Sequence, residues 1–306
     1  MPELPDIVTY LEALEARVLQ RALRSVRVVS PFVLRTFDPP VDAIEGHVVK
    51  SLSRLGKRIV LHFDNDLHRV FHLMIAGRLR WEDADISPGG SKKRTPVRRG
   101  RSKIELAAFR FDNGLLTLTE ASDKKRASIH VVRGEAGLRE HDPGGADVLE
   151  MDLAEFAAGI RQENHTIKRV LTNPHVFSGI GNAYSDEILH AARLSPLALS
   201  QKLTDEEIAR LFEAVRATLL IWTARLRSQF AGRFPGPGEI TAFRPDFAVH
   251  GKFGKPCPAC GKKVQRIRYA DNETNYCAVC QTGGRRLADR SMSRLLREDW
   301  PREVEE

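Results

Sequence analysis

The sequence predicts an α+β fold in which an N-terminal helix and a β-sandwich precede a helical domain and a small cysteine-rich module. Three observations support this prediction. Apolar residues recur at helical spacing from residue 6 to about residue 20. Short segments rich in β-branched and aromatic residues follow, separated by turn-forming residues, as in a β-sandwich. Helical periodicity then replaces the strand patterns, and all four cysteines lie within residues 257–280.

The bulk composition is that of a globular protein with an anionic partner. The chain has 306 residues, 42% hydrophobic and 29% charged, which is enough for two domains and a small module. Its net charge of +8 and isoelectric point near 9.5 favour a polyanion as partner. No apolar run reaches the ~18 residues that can cross a bilayer, and the acidic N-terminus is unlike a secretory signal. We therefore expect a cytoplasmic, nucleoid-associated protein.

The predicted N-terminal helix and sandwich occupy the first 145 residues. Ile7, Leu11, Leu14 and Val18 share one face of the helix. A basic segment at residues 87–103 interrupts the strands, and its glycine, proline and serine content favours a solvated loop over a binding element. The predicted strands cover residues 23–30, 48–52, 58–63, 68–74, 104–109, 115–119 and 128–132.

The chain after residue 145 is predicted to be mainly helical. A capping box between Thr204 and Glu207 marks the start of the longest helix. Residues 231–248 are rich in glycine and proline, which predicts a loop, and leucines in residues 285–306 favour a last amphipathic helix. The predicted helices cover residues 152–160, 167–171, 183–192 and 204–227.

The four cysteines form two Cys-x-x-Cys motifs separated by sixteen residues: Cys257, Cys260, Cys277 and Cys280. Two such turns can supply four thiolates to one zinc ion, and a site filled by four protein ligands is structural rather than catalytic. Strands at 264–269 and 273–276 could pair as a hairpin between the motifs. The six basic residues and no acidic ones from 252 to 268 favour phosphate contact. A zinc ribbon that serves only structure or protein contact remains the alternative.

Three further sequence features carry candidate chemistry. Pro2 would become a free secondary amine once the initiator methionine is removed, with the Glu3 carboxylate beside it to move a proton. The plainer interpretation is that both residues simply start a helix. Gly181 and Asn182 stand at a helix entry whose free N–H groups could bind phosphate, although most glycine turns serve only as helix entries. Lys57, alone, is typical of a surface lysine.

Taken together and in this order, these features resemble the formamidopyrimidine-DNA glycosylase and endonuclease VIII family. The resemblance covers essentially residues 1–282 and rests on the Pro-Glu terminus, the Gly-x-Lys motif, the Gly-Ile-Gly-Asn-x-Tyr helix entry and the four cysteines. It implies a helix–two-turn–helix domain after the sandwich, a C-terminal four-cysteine zinc finger with one structural Zn²⁺, and DNA bound between the two halves. It also implies removal of damaged bases followed by strand cleavage at the abasic site.

The resemblance assigns roles residue by residue. Pro2 matches the amine nucleophile that attacks C1′, and Glu3 matches the acid that protonates the sugar ring oxygen. Lys57 and Asn182, with Gly181 beside it, match positions that hold phosphates around the extruded nucleotide. Further DNA contacts are expected from Lys125, Arg126, Arg268, Asn272 and Ile75.

The sequence departs from the family pattern where the family probes and fills a duplex. Asn272 stands where the hairpin usually presents an arginine, and Ala127 replaces the usual aromatic wedge that follows Lys125 and Arg126. Ile75 takes the place of the methionine that fills the void. A milder change puts Asp6 where a glutamate is usual. We therefore expect a preference for single-stranded, bubble or otherwise distorted DNA, or for an unusual lesion.

The prediction from sequence is thus a bifunctional DNA glycosylase and AP lyase of base-excision repair, which we expect to be a monomer. The damaged base that it removes would be oxidised or ring-opened. A non-catalytic binder of damaged or single-stranded DNA on the same scaffold is the alternative, and an RNA- or ribosome-associated zinc-ribbon protein would leave the Pro-Glu terminus unexplained. The expected domains are residues 1–145 (catalytic sandwich), 146–245 (helix–two-turn–helix), 246–284 (zinc finger) and 285–306 (tail).

Overall fold

The computed structural model describes residues 1–84, 103–269 and 272–288. Short 3₁₀ turns at Pro31–Val33 and Ser200–Lys202 supplement the main elements. In chain order, those elements are α1 (Leu4–Val18), β1 (Leu23–Val28), β2 (Val49–Leu55), β3 (Arg58–Phe63), β4 (Leu67–His72), β5 (Gly77–Asp83), β6 (Glu105–Phe111), β7 (Gly114–Glu120), β8 (Ser128–Arg133), α2 (Gly134–Arg139), β9 (Ala146–Asp147), α3 (Leu153–Arg161), α4 (Ile167–Thr172), β10 (Phe177–Ser178), α5 (Asn182–Ala191), α6 (Asp205–Phe230), β11 (Gln265–Tyr269), β12 (Asn272–Tyr276) and α7 (Ala278–Thr282).

The chain divides into two compact units. The N-terminal unit comprises Met1–Asp142 with Arg225–Thr241, and the C-terminal unit comprises Pro143–Ala224 with Ala242–Glu306. The last turns of α6 and the segment after it therefore belong with the sandwich. This return of the chain explains why Leu226 lies in the same apolar core as α1.

Two antiparallel four-stranded sheets build the N-terminal unit, in the orders β1-β6-β7-β5 and β2-β3-β4-β8. Alternating apolar side chains of both sheets meet in one core, where the Phe71 and Phe109 rings pack edge to face with centroids 5.3 Å apart. Helix α1 adds its apolar face to this core through Ile7, Leu14 and Val18, each fully buried. Packing against the sandwich therefore holds the start of α1 in place.

The C-terminal unit combines helices with a hairpin. Helix α6 starts with the predicted capping box: Glu207 N–H donates to Thr204 Oγ1 at 3.2 Å, and Thr204 N–H donates to Glu207 Oε2 at 3.0 Å. Strands β9 and β10 form a short parallel pair, and β11 and β12 pair antiparallel. No helix within the described residues is long and apolar enough to cross a membrane.

The predicted α+β fold class is confirmed, and so are the N-terminal helix, all seven predicted strands of the sandwich and the four helices predicted after residue 145, with shifts of a few residues at their ends. The hairpin between the Cys-x-x-Cys motifs is also confirmed. Strand β5, the short strands β9 and β10 and the short helices α2 and α7 were not predicted. Residues 289–306 of the predicted tail and residues 87–102 of the basic loop predicted at 87–103 lie outside the described residues.

Two half-buried histidines, His72 and His130, lead us to expect that acid lowers the free energy of unfolding of the N-terminal unit. Burial, with the positive charges of Arg58 and Lys57, lowers the pKa of His72 from 6.5 to about 4. Burial, with His141 and Arg58, lowers the pKa of His130 from 6.5 to about 4. The unfolded chain therefore binds these two protons more readily than the folded chain. The free energy of unfolding should be retained above about pH 6.5 and should fall as the pH drops toward 4.

Urea denaturation at a series of pH values between these limits measures the effect. His130→Asn removes one titrating group, so its free energy of unfolding should depend less steeply on pH than that of the unmodified protein. Identical slopes for the two proteins would contradict the assignment of this acid sensitivity to His130.

Candidate active site and zinc finger

The N-terminus of α1 fixes the position of Glu3. This residue is the extended N-cap of the helix, and its backbone N–H donates to Asp6 Oδ2 at 2.9 Å. Pro5 in the first turn suits the helix start because it lacks an N–H that would need a partner there. Glu3 and Asp6 are each only 3% exposed. A carboxylate is therefore held next to Pro2, inside the protein.

Charged groups of both signs surround the start of the chain. Burial lowers the pKa of the Met1 amino group, while Glu3 and Asp6 raise it and Arg78 and Lys57 lower it. All four side chains are thus close enough to act electrostatically on the first residues. The structure brings together the predicted residues Pro2, Glu3 and Lys57, and it adds Arg78, which the sequence did not indicate.

Two cations reach this region from the sandwich. Lys57 follows Gly56, whose φ of +62° makes the tight turn between β2 and β3. Burial lowers the pKa of Lys57, and the neighbouring Glu3 raises it. Arg78 on β5 is oriented by its Nε–H, which donates to the Ile240 carbonyl at 2.8 Å. Both cations are positioned by backbone features before any ligand is present.

A tight turn between β4 and β5 exposes Ile75. Gly77 N–H donates to the Leu73 carbonyl at 2.8 Å. A Cβ at Gly77 would lie 2.2 Å from that oxygen, so only glycine fits. Met74 adopts a positive φ of 51°, and Ile75 is 58% exposed. The side chain predicted to fill a void in DNA therefore projects into solvent.

The segment after β7 is organised by Glu120. Its buried carboxylate accepts backbone hydrogen bonds from Arg126 and Ala127 at 2.9 and 3.0 Å, and its carbonyl accepts one from Lys125 Nζ. Arg126 is exposed, whereas Ala127 is buried at 2% exposure. The structure thus keeps the predicted basic side chains near the surface, and the residue at the wedge position lies inside the protein.

In the C-terminal unit, Gly181 and Asn182 begin α5 as predicted. Gly181 is the extended N-cap, and it follows Gly179, whose φ is +90°. The Asn182 side-chain amide donates to the Glu273 carbonyl at 3.0 Å, and Lys168 Nζ donates to the Asn182 carbonyl at 3.2 Å. Asn182 therefore links the start of α5 to the β11–β12 hairpin.

The hairpin carries a partly neutralised basic surface. Glu273 forms ion pairs with Arg266 at 3.3 Å and Arg268 at 3.5 Å. Asn272 is exposed and faces Tyr269 across the strand pair. Since Asn272 carries no charge and Arg268 shares a carboxylate, this hairpin presents less positive charge than its arginine count indicates.

The four cysteine sulfurs converge on one point. They lie within 4.8 Å of one another, and the Cys260–Cys277 and Cys257–Cys280 sulfur pairs are 3.4 and 3.9 Å apart. Tetrahedral thiolates at ~2.3 Å from zinc would be about 3.8 Å apart, so the arrangement fits the metal. Burial raises the pKa of the Cys277 thiol to about 11, and a bound cation would favour the thiolate form. The predicted structural zinc finger is confirmed.

Buried carboxylates on α5 hold the approach to the finger. Asp186, fully buried, accepts hydrogen bonds from His250 Nδ1 at 2.8 Å and from the Asn275 N–H at 3.0 Å. Glu187 accepts three backbone N–H groups from residues 248–250 at 2.7 to 2.9 Å. Burial raises the pKa of Glu187, while these hydrogen bonds lower it. The helix that starts at Asn182 thus also fixes the finger.

A direct contact links α5 to a cysteine. His190 Nε2 lies 3.2 Å from Cys257 Sγ, and in the tautomer protonated at Nε2 it donates to the sulfur. A zinc ion with four thiolates carries a net negative charge, and Cys257 is only 2% exposed. A donor beside that sulfur therefore offsets part of the buried charge.

Comparison with known proteins identifies the family. Residues 1–121 match the formamidopyrimidine-DNA glycosylase N-terminal domain, residues 145–224 its H2TH domain, and residues 254–283 a zinc finger found in FPG and IleRS. A formamidopyrimidine-DNA glycosylase of Desulforamulus reducens is 31% identical over 92% of this chain and 99% of its own length. The chain belongs to the formamidopyrimidine-DNA glycosylase family.

Other relatives are similar along the chain, and a solved structure has the same fold. The Heliobacterium modesticaldum formamidopyrimidine-DNA glycosylase is 29% identical over 92% of this chain and 100% of its own length. An uncharacterized formamidopyrimidine-DNA glycosylase-like protein of Mycobacterium tuberculosis is 43% identical, but it covers only 53% of this chain and 99% of its own length. Lactococcus lactis Fpg in complex with DNA containing an abasic site has the same fold, with a TM-score of 0.76 and 22% identity over 92% of this chain and 99% of that one.

Two residues of the candidate active site and zinc finger were missed from the sequence. Arg78 lies on β5, where Leu79 and Trp81 alternate with Arg78 and Arg80, a period-2 signal that could have revealed the strand. His190 occupies a half-buried position in the last turn of α5, and its place beside Cys257 has no local sequence signal.

Replacing His190 should weaken zinc retention. His190→Phe keeps a ring of similar size but removes the donor, so we expect the zinc dissociation constant to rise about 10- to 100-fold. Chelator competition with a chromogenic zinc indicator measures this without reference to activity. His175→Phe, at an exposed site in the same unit, is the matched control. Equal zinc retention in all three proteins would show that the contact with Cys257 does not support the metal site.

Proposed function

We propose that this protein is a bifunctional DNA glycosylase and AP lyase of base-excision repair that acts on damaged DNA. Membership of a DNA glycosylase family supports the glycosylase activity. One observation carries the finer proposal: a buried glutamate stands beside Pro2 at a chain terminus flanked by Lys57 and Arg78. The capping box of α1 accounts for an acid at the helix start, but it does not require two cations beside that buried acid, since burying charge is costly.

The proposed chemistry starts from the free amine of Pro2. Its nitrogen attacks C1′ of the damaged nucleoside, and the base leaves with the electron pair of its bond to C1′ and takes up the proton that the amine loses. Glu3 then donates a proton to the sugar ring oxygen, the bond from C1′ to that oxygen breaks, and the ring opens to an iminium. The resulting iminium makes the C2′ proton acidic, so loss of that proton expels the 3′ phosphate. Water then hydrolyses the iminium and releases Pro2. Lys57 and Asn182 are suited to hold phosphates during these steps.

This chemistry requires that Met1 be removed. With Met1 in place the Pro2 nitrogen is an amide and has no nucleophilic lone pair. Pro2 is small and follows the initiator directly, so cleavage would leave the secondary amine in the same buried environment as Glu3. Intact-mass measurement of the native protein reports whether this condition is met.

Borohydride trapping tests the nucleophile. With abasic DNA, the processed protein should form a covalent adduct on reduction, because borohydride reduces an iminium to a stable amine. Pro2→Gly should reduce trapping at least tenfold, and Glu3→Gln should abolish base removal from a damaged oligonucleotide, since general acid catalysis contributes about 10²- to 10⁴-fold. Glu12→Gln, on the same helix but outside the site, is the control. An N-terminally processed protein that forms no adduct would refute the lyase assignment.

The second candidate function is non-catalytic binding of damaged or single-stranded DNA. The specific observation in its favour is the weakened set of duplex-handling side chains, namely the buried Ala127 and the uncharged Asn272. Such a binder would retain affinity for abasic DNA in the trapping assay while giving no adduct. Trapping and binding measured on the same oligonucleotide therefore separate the two functions.

We further propose that the substrate is single-stranded, bubble or otherwise distorted DNA carrying an oxidised or ring-opened base. Extruding a base from an intact duplex costs a few kcal/mol, and an inserted side chain normally offsets part of that cost. Ala127 is buried and cannot be inserted, and Glu273 offsets the charge of Arg266 and Arg268. A substrate that is already unpaired avoids the cost.

Strand-cleavage rates on matched substrates test this preference. One lesion is placed in the same sequence as a duplex, a bubble and a single strand, and single-turnover rates are measured. We expect the bubble and single strand to be cleaved at least tenfold faster than the duplex, because a few kcal/mol of extrusion cost is absent. A panel of lesions in the preferred context then identifies the base. Faster cleavage of the intact duplex would refute the proposed preference.

A further inference from the structure

The segment that leads into the zinc finger exposes two phenylalanine rings. Phe243 is 71% exposed and Phe253 is 48% exposed, and both belong to the C-terminal unit. Single exposed apolar side chains are ordinary on protein surfaces, so exposure alone gives these rings no role. What distinguishes them is that a fixed polar side chain stacks on each ring.

Phe243 stacks on a histidine that is itself held in place. Its ring lies 18° from parallel to that of His250, with centroids 5.8 Å apart. His250 is buried, and its Nδ1 lies 2.8 Å from the Asp186 carboxylate. Gly251 follows with a φ of +71°, and a Cβ there would lie 2.7 Å from Phe243 Cδ1. The glycine therefore leaves room for a ring that rests on a fixed imidazole.

Phe253 stacks on an arginine of the finger hairpin. The Arg266 guanidinium lies 4.0 Å from the centroid of the Phe253 ring, a close cation–π contact. Arg266 is on β11, and its Nη1 pairs with the Glu273 carboxylate at 3.3 Å. One side of the ring is thus covered by a held cation, while about half of the residue stays exposed. A ring fixed in this way loses little conformational entropy when a ligand binds to it.

The surroundings of the two rings favour a polyanion. Lys252 and Lys255 flank Phe253 in the sequence, and Lys252 Nζ donates to the Pro245 carbonyl at 2.6 Å. Asp246 is the exposed acid of the same segment, and no acidic residue lies between Lys252 and Arg268. Aromatic rings among lysines and arginines are the combination that binds single-stranded nucleic acid, because every base has a face that can stack. In a duplex the bases stack on each other and offer no such face.

We propose that Phe243 and Phe253 form a stacking site for the bases of unpaired DNA, with Lys252 and Lys255 binding the adjoining phosphates. His250 and Arg266 support the rings from one side and leave the other side to a base. The stacking site rests on the proposed action on unpaired DNA and supplies that action with residues. It lets this unit hold a strand through its bases, where the uncharged Asn272 offers no charge to a phosphate.

Fluorescence anisotropy with the full-length, zinc-loaded protein tests the site. The labelled probes are a thymidine single strand, a duplex of the same length, and a base-free strand of tetrahydrofuran nucleotides, which keep the phosphates and cannot form an iminium. Phe243→Leu and Phe253→Leu keep apolar bulk but remove the ring. Each should raise the dissociation constant of the single strand about fivefold or more, because each stacked base contributes that much. Affinities for the duplex and the base-free strand should not change.

Phe32→Leu is the matched control, since Phe32 is an exposed ring of the N-terminal unit, at 81% exposure. It should leave all three affinities unchanged. Unchanged single-strand affinity in both Phe243→Leu and Phe253→Leu would overturn the proposal. An equal loss of affinity for the base-free strand would overturn it too, because that pattern reports a loss of charge or of folding and not of stacking.

A gain of signal tests the site without depending on a weakened variant. Phe253→Trp keeps an aromatic face, so it should retain single-strand affinity. Its tryptophan fluorescence should be quenched by the thymidine strand more than that of the unmodified protein, and the base-free strand should cause no extra quenching. Equal quenching by both strands would overturn the proposal.

Failure of the stacking site and failure of the glycosylase proposal are distinguishable. The binding measurements involve no reaction, so they give the same result whether or not the protein forms a borohydride adduct. Phe253→Leu at saturating protein should still be trapped on abasic DNA as fully as the unmodified protein, because Phe253 is not part of the proposed chemistry. Loss of trapping in that variant would overturn the assignment of Phe253 to base stacking alone.

Discussion

The hydrogen bond from the Glu3 backbone to the Asp6 carboxylate is the constraint on which the candidate site depends. It joins the extended N-cap Glu3 to the first turn of α1, and the Glu3 side chain is buried there. Helix α1 is in turn fixed by Ile7 and Leu14, which lie in the sandwich core. Flexible chain ends rarely hold catalytic groups well, because their first residues are poorly ordered unless they are tied down. Here the sandwich core, through one helix, ties down the first three residues.

In the C-terminal unit, too, one helix positions the candidate functional residues. Helix α5 begins with the candidate phosphate ligand Asn182, continues with the buried carboxylates Asp186 and Glu187, and reaches the zinc finger through His190. One rigid helix thus positions a glycine turn, a hairpin and a cysteine together. Buried carboxylates that accept several backbone N–H groups are costly to leave unpaired, so they specify one arrangement of the approach to the finger. The hairpin is therefore fixed from its base, whereas its tip lies outside the described residues.

Local patterns predicted most of the elements because their apolar residues repeat with the period of the structure they form. The helices and seven strands of this kind were found from spacing together with turn and capping signals, and the cysteine spacing identified the metal site. Local patterns do not predict which residues far apart in the sequence come into contact. Arg78 lies near the start of the chain, on a strand whose charged residues hide its pattern. Arg69 is buried on strand β4, although the pattern predicts that a charged residue is exposed. Both depend on neighbours far away in the sequence, where periodicity carries no information.

The path of the backbone at residue 127, and not only the alanine side chain, prevents this position from carrying an exposed aromatic wedge. Ala127 is buried, and its N–H is bonded to the Glu120 carboxylate, as is the N–H of Arg126. Ala127 also lies against Gly77, where an added Cβ would come within 3.0 Å of the alanine Cβ. A phenylalanine placed at residue 127 would therefore overpack the turn at Gly77 instead of projecting into solvent. An exposed wedge would require this segment to leave Glu120 and take another path. Ile75, exposed on the turn next to Gly77, is the side chain that we propose for contact with DNA bases on this part of the N-terminal unit.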